Sequence, residues 1–429
     1  MNGRIAVVGG GWAGLACAVE LSAAGQRVCV FEAARQLGGR ARRVEVHGLP
    51  LDNGQHILLG AYRETLRLMR LAGADPETLL ERLPLELHHP GGRFRLRLPR
   101  VPAPFHLAVG LIRLQGVSLR EKLAAARFMR SLQRAHYRLR EDISVADLLN
   151  RYGQTGVLRR FMWEPLCLAA LNTPPATASA QLFANVLRDS LGGQREDTDL
   201  LLPAADLGRL FPDAARNHIE SAGGEVRLST RIEALPPALT IGDETFAHVV
   251  IATAPQHVSA LLRSFPEMAV VAGLLDGYAF EPIGTVYLGY PEALSFPFPM
   301  LGLDKPEPGR IGQWAFDRSD RNCGQGIAAC VLSGEGLWDT LDNETLAATL
   351  HRELQDTLGR PLPAPLWHQV IRERRATFSC RPGLARPAPD TPVRNLWLAG
   401  DYVCAEYPAT LEGAVRSGVT AARRILAQS

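Results

Sequence analysis

The chain has 429 residues, 46% of them hydrophobic, and its 47 basic and 44 acidic side chains leave a formal charge of +3. That length and apolar content build two or three globular domains and exclude a disordered chain, while the near-balanced charge argues against nucleic acid as a partner. Lys122 and Lys305 are the only lysines, and the seven cysteines (Cys17, Cys29, Cys167, Cys323, Cys330, Cys380, Cys404) are odd in number without a C-x-x-C pair. Such scattered thiols suit a reducing compartment and support neither a disulfide framework nor a metal site.

Residues 4–31, RIAVVGGGWAGLACAVELSAAGQRVCVF, predict a buried strand at Ile5–Val8, a helix over Ala13–Leu21 and a second strand at Val28–Phe31. The opening run is too short for an export signal, so a cytoplasmic protein is expected. Gly9, Gly11 and Gly14 form G-x-G-x-x-G between strand and helix. The first glycine allows the tight turn, the second the approach of a pyrophosphate and the third close helix packing. The phosphates then rest on the free N–H groups of the helix start, around Trp12 and Ala13. Glu32 ends the second strand, where an acid binds ribose hydroxyls and repels a 2′-phosphate.

A second glycine pair follows in LGGRAR (37–42), with Gly38 and Gly39 for another close approach and Arg40 to pair with phosphate. A plain nicotinamide dehydrogenase has no need of it. Next comes LDNGQHILLG (51–60), which gathers polar residues between apolar flanks.

From about 60 to 215 the pattern turns helical, as in 118–139, and Ser144 with Asp147 predicts a capping-box variant. The run VPAPFHLAVGLIRLQG (101–116) is the most apolar stretch, yet too short and too interrupted by His106 and Arg113 to span a bilayer. A buried substrate-domain helix is the plain reading; a segment lying in the membrane interface is the sharper one. FMWEPLCLAALNTPPATAS (161–179) predicts an apolar helix ending at Pro174 and Pro175, in which Phe161, Met162, Trp163 and Leu166 either line a long channel or pack in the core. Glu164 in that run requires a partner, Arg159 or Arg160.

Strands are expected within 223–235, ending at Ile232, and within 248–255, 282–290 and 326–334, the last two in a second sheet; 386–392 is a loop. The chain closes with a strand ending at Gly400 and Asp401 and a helix beginning at about Leu411. An acid after Gly400 can bind ribitol hydroxyls, and the helix N-terminus can face the pyrimidine end of a flavin. The domains read as interleaved: FAD-binding segments 1–75, 205–265 and 375–429, and substrate-binding segments 76–204 and 266–374. No second G-x-G-x-x-G follows a strand, so no site for a nicotinamide is visible and reducing electrons must come from a separate donor or a transient visit.

Together VVGGGWAGLACA, LGGRAR, LDNGQHILLGAYRETLRL, ATAP and LAGDYVCAEYPATLEGAVRSG resemble the flavin amine oxidase and phytoene desaturase superfamily. Within it the chain is most similar to the squalene-associated FAD-dependent enzymes of hopanoid synthesis, the hydroxysqualene dehydroxylases. The resemblance implies an α/β fold, a Rossmann-like FAD domain of the amine oxidase type with an interleaved α+β substrate domain. It also implies that LDNGQH runs beneath the isoalloxazine ring, with Asp52 and Asn53 fixing the turn, Gly54 and Gly60 close to the flavin, and Gln55 and His56 near N5 and C4=O. Gly39, Arg40, Ile232 at the adenine, Gly400, Asp401, Leu411 and Glu412 complete the implied cofactor contacts.

The implied reaction is reduction of hydroxysqualene to squalene: loss of water from an allylic alcohol leaves a delocalised cation, quenched by a hydride from reduced flavin. It needs an acid near the leaving oxygen, and His56, Glu406 and Tyr407 stay open for that role, with Gln55 beside them. The competing readings are a carotenoid-type desaturase running electrons the opposite way, a flavin amine oxidase, and an isoprenoid carrier without chemistry. Many amine oxidases carry a lysine on the strand corresponding to 282–290, absent here; retention of DNGQH counts against a carrier. The implied partners are an isoprenoid lipid and an electron donor, with peripheral contact at the inner face of the membrane.

Overall fold

The computed structural model describes residues 3–89, 94–303, 309–319 and 325–428. Lys305 and Cys323 lie outside the described residues.

Four-residue apolar runs with no polar alternation bury on both faces, which is the habit of a parallel sheet flanked by helices. Ile5–Val8 and Val28–Phe31 are such runs and are fully buried. They lie at the centre of a five-stranded sheet in the order Glu225–Arg227, Val28–Phe31, Ile5–Val8, His248–Ile251, Leu396–Leu398. Every pairing is parallel, with Ile5 beside both Val28 and His248. The helix Trp12–Ala23 covers one face, and the C-terminal helix Leu411–Leu426 packs against it. A methyl group at Gly418 would lie 2.1 Å from the Ala13 carbonyl oxygen, so only glycine admits this helix approach.

A second sheet is antiparallel, in the order Met300–Gly302, Trp314–Asp317, Gly326–Ser333, Phe280–Tyr290, Trp367–Phe378. Helix Asn343–Leu358 sends Leu346, Leu350 and Leu354 into a core shared with Val286, Leu288 and Leu332. The α/β class and the Rossmann-like first domain agree with the sequence reading.

Several expectations need correction. The stretch from 60 to 215 is not purely helical, because Leu80–Leu83, Glu86–His89, Phe94–Arg97 and Leu200–Pro203 are strands. In the third of these, buried Phe94 and Leu96 alternate with exposed Arg97, the period of two that marks a half-buried strand. The strand within 223–235 ends at Arg227 rather than at Ile232.

The segment 161–179 begins as a π-helical turn, Arg159–Trp163, and continues as an α-helix over Glu164–Leu171. It stops at Asn172, in the left-handed region, before either proline. Asn172 donates to Thr377 Oγ1 at 3.0 Å and accepts from the Gly334 N–H at 2.9 Å, so tertiary hydrogen bonds end the helix. Glu164 pairs with Arg159 at 2.7 Å. Phe161 and Trp163 are core residues, the indole N–H donating to Gln154 Oε1 at 2.9 Å.

The helix Phe105–Arg113 is not simply buried. His106 and Gly110 face inward, whereas Phe105 and Ile112 are 65% and 74% exposed. Among the described residues no helix is long and apolar enough to cross a membrane.

Candidate flavin site and active site

The first glycine turn has the shape its sequence demands. Gly9 sits at φ +115°, and a methyl group there would press on the Ala252 carbonyl at 2.6 Å; one at Gly14 would lie 2.0 Å from the Gly9 oxygen. At Gly11, by contrast, the only neighbour of an added methyl would be Gly39 Cα at 3.9 Å, which leaves the space open to a ligand. Gly11 caps helix Trp12–Ala23 with no side-chain bond, so the first-turn N–H groups of Trp12 and Ala13 are placed for an anion. LGGRAR lies alongside: Gly38 N donates to Gly10 O at 2.8 Å, and Gly11 and Gly38 form a parallel bridge.

Glu32 is pinned by the N–H groups of Gly10 (2.7 Å, to Oε2) and Ala34 (2.8 Å, to Oε1), and each oxygen keeps a lone pair for a hydroxyl. Ser229 N donates to Ala34 O and Thr230 N to Glu32 O. Ile232 therefore lies just beyond a segment that runs beside Glu32, half-buried against the core.

Arg40 departs from its expected role. Its guanidinium binds Asp401 through both carboxylate oxygens at 2.8 Å and the Ala376 carbonyl at 2.7 Å, instead of standing free for phosphate. A buried carboxylate needs a paired cation, and Asp401 is buried. Asp401 Oδ1 also accepts from Tyr402 N at 3.1 Å, leaving Oδ2 with acceptor capacity.

In LDNGQH, Asp52 is 1% exposed and accepts from the Leu207 N–H at 2.7 Å, tying this segment to the helix Leu207–Leu210. Burial first of all, against that hydrogen bond and Arg318, raises its carboxyl to about 6. Gly54 is at φ +139°, near Thr285 of strand Phe280–Tyr290. His56 Nδ1 lies 2.8 Å from the Gly54 carbonyl, and burial holds the imidazole below its usual pKa. His56 is thus neutral at pH 7, with Nδ1–H donating and Nε2 left as an acceptor. Gln55 Nε2 donates to the His56 carbonyl at 2.9 Å. Gly60 serves packing rather than a cofactor: a methyl there would fall 1.7 Å from the Glu196 carbonyl oxygen.

Gln55 Oε1, Thr253 Oγ1, Thr285 Oγ1 and the Tyr402 hydroxyl are buried without a hydrogen-bond partner among the described residues. Buried polar atoms are normally satisfied. These four lie on or against the segments that carry Gly9, Gly54 and Gly400, and a polar cofactor there would supply what they lack, so the residues fit FAD.

The helix Leu411–Leu426 starts where expected, with Thr410 Oγ1 accepting from Gly413 N at 3.1 Å. Glu412 is fully buried and turned elsewhere. It accepts from Glu64 N, Thr65 N and Thr65 Oγ1 and pairs with Arg416 at 2.7 Å, so its carboxylate clamps the start of helix Arg63–Ala72.

Glu406 and Tyr407 reach one cavity, walled by Leu59, Ala61, Ala170, Val186 and Asn185; His56 and Gln55 are not among its lining. Glu406 has a 73% exposed side chain, 3.7 Å from Arg188. Tyr407 donates to Asp189 Oδ2 at 2.5 Å, under the Arg416 guanidinium 4.9 Å from its ring centroid. Burial, then the hydrogen bond to Asp189 and its charge, hold the phenol above its ordinary pKa. Asp189 was missed from sequence. It sits in the helix Ala180–Leu191, far along the chain from any motif, on a face it shares with Asn185, Val186 and Ser190, and no sequence signal singled it out.

Comparison with known proteins agrees with this geometry. The flavin containing amine oxidoreductase family profile matches residues 12–426. A hydroxysqualene dehydroxylase of Rhodopseudomonas palustris is 30% identical over 100% of this chain and 99% of its own. A probable zeta-carotene desaturase of Synechococcus elongatus is 23% identical over 99% of this chain and 98% of its own. A solved putrescine oxidase triple mutant superposes with a TM-score of 0.74 at 17% identity, covering 100% of this chain and 99% of that one. The chain belongs to the flavin containing amine oxidoreductase family and is an FAD-dependent oxidoreductase.

Proposed function

We propose that this protein reduces an allylic isoprenoid alcohol of the hydroxysqualene type to the corresponding alkene. The observation that carries the reading is the end-to-end similarity to a hydroxysqualene dehydroxylase, with both chains covered almost completely. The desaturase likeness is weaker in identity. Strand Phe280–Tyr290 has Thr285 near Gly54 and no lysine, which counts against an amine oxidase.

Bound, reduced FAD supplies the two electrons. The protein holds it through the glycine turns at Gly9, Gly11, Gly14 and Gly39, with Glu32 on the ribose and Asp401 on the ribitol; Ile232 lies at the adenine. Segments 1–75, 205–265 and 375–429 form the cofactor domain, and 76–204 and 266–374 the substrate domain. The helix start at Leu411 supports the pyrimidine end.

At the substrate end, Leu59, Ala61, Ala170 and Val186 keep water from the cavity. Tyr407, whose hydroxyl donates to Asp189 at its wall, keeps its oxygen free to accept from the leaving hydroxyl and is the candidate best placed to orient it. His56, neutral and hydrogen-bonded to Gly54, orients rather than donates, with Gln55 beside it. Glu406 faces solvent and is the weakest of the candidate acids. A separate protein or small-molecule reductant recharges the cofactor, and the protein works at the inner face of the membrane, where its substrate dissolves.

The test is an anaerobic mixture of dithionite-reduced holoprotein with hydroxysqualene. Reoxidation of the flavin with stoichiometric squalene is the expected result. A flavin that stays reduced, while oxidised protein is bleached by a saturated isoprenoid or an amine, would refute the proposal.

A further inference from the structure

Two consecutive helices leave their apolar residues in water. On Phe105–Arg113 the outward stripe is Phe105, Ala108 and Ile112; on Leu119–Arg134 it is Leu119, Leu123 and Ala126, at i, i+4 and i+7. Leu119 is 72% exposed and Leu123 49%. The opposite face of the second helix, Ala125, Phe128 and Leu132, is buried. Lys122 Nζ donates to the Ile112 carbonyl at 2.8 Å, which brings the second helix to the C-terminal end of the first, beside exposed Ile112.

Charge surrounds the apolar stripe. Arg120, Arg127 and Arg134, spaced by seven, run along one flank of it. From 113 to 134 there are six basic side chains and one acid, Glu121. That acid is occupied: its carboxylate accepts from Ser118 in a capping box and from Leu158 N. The local positive excess is larger than the net charge of the whole chain. An apolar ridge flanked by arginines, in a chain otherwise slightly acidic, is the pattern of a helix pair that lies in a lipid interface, with side chains reaching to anionic headgroups.

We infer that the face formed by Phe105–Arg113 and Leu119–Arg134 seats the protein on a bilayer of anionic phospholipid. The placement also connects to the cavity. Phe128, on the inner face of the second helix, meets Trp163 edge-on at 5.4 Å. Trp163 closes the π-helical turn that leads into Glu164–Leu171, whose Ala170 lines the cavity wall. Lipid contact is thus one layer of side chains away from the element that walls the site. The link to catalysis rests on the proposed isoprenoid substrate, whereas the surface itself does not.

The test is flotation of the FAD-loaded protein with vesicles of phosphatidylcholine alone or with added phosphatidylglycerol, at rising salt. The expected result is flotation only with phosphatidylglycerol, reversed by salt. Binding should fall about tenfold or more in Arg120→Glu with Arg127→Glu, and likewise in Ile112→Ser with Leu119→Ser. The flavin spectrum and turnover of detergent-dispersed substrate should stay as in the parent. Equal binding to both vesicles, or no loss in either pair, would overturn the inference. So would absent flotation together with a dimer that Ile112→Ser with Leu119→Ser dissolves, which would assign the face to a second copy. Vesicle binding with no dehydroxylation in detergent would instead sink the proposed activity and leave the surface standing.

Discussion

Replacing Asp52 by Asn should remove a specific pH dependence of stability. The folded protein raises this carboxyl from 3.8 to about 6, chiefly through burial. A carboxyl whose folded pKa is raised stabilises the fold fully below the unfolded value, and that contribution is lost as pH rises through the folded value. The rise is slightly over two pH units, and at 1.36 kcal/mol for each unit the loss is about 3 kcal/mol, spread between about pH 4 and pH 6. For a chain of this size that corresponds to a melting-temperature change of roughly 3 °C. The amide oxygen of Asn can still accept from Leu207 N, so Asp52→Asn keeps the tie at 2.7 Å while removing the titration. The assay is the melting temperature of both proteins across that pH range: other carboxylates move both curves together, and the difference isolates Asp52. The gap should open in favour of Asp52→Asn as pH rises; parallel curves would refute the reasoning.

Tyr407→Phe should lower turnover by about a hundredfold with FAD content unchanged, as expected for loss of an acid or its positioning, while Glu406→Gln should stay near the parent; steady-state rates on hydroxysqualene compare them. Gly14→Ala forces a methyl to 2.0 Å from the Gly9 oxygen, so protein that folds at all should purify without flavin, read from its visible spectrum. Glu412→Ala leaves the N–H groups of Glu64 and Thr65 without their acceptor and the half-buried Arg416 guanidinium without its carboxylate. It should cost about 1–3 kcal/mol, measured by urea unfolding.

What was legible in the sequence was local. The strand Ile5–Val8, the start of the last helix at Leu411 and the cap at Ser144, whose hydroxyl accepts from Asp147 N at 3.0 Å, follow from neighbours within a few residues. The Glu164–Arg159 pair was legible too, because both sit on one helical run. What stayed hidden depends on distant chain. Asn172 ends a helix by bonding Thr377 and Gly334, Arg40 turns to Asp401, and Glu412 clamps the start of the helix at Arg63. For Phe105–Arg113 the sequence left two readings open, a buried helix and an interfacial one, because an apolar stripe has the same sequence whether it faces a core or a lipid.

The parallel sheet has one more consequence, for the order in which the molecule can be made. Ile5–Val8 pairs with His248–Ile251, and that strand pairs in turn with Leu396–Leu398. During synthesis the first strand and its helix emerge early, yet the strands on one side of them follow only at residues 248–251 and 396–398. The nascent parallel sheet therefore keeps an open, hydrophobic edge until residue 248 and again until residue 396, and such edges are where chaperones and misassembly compete.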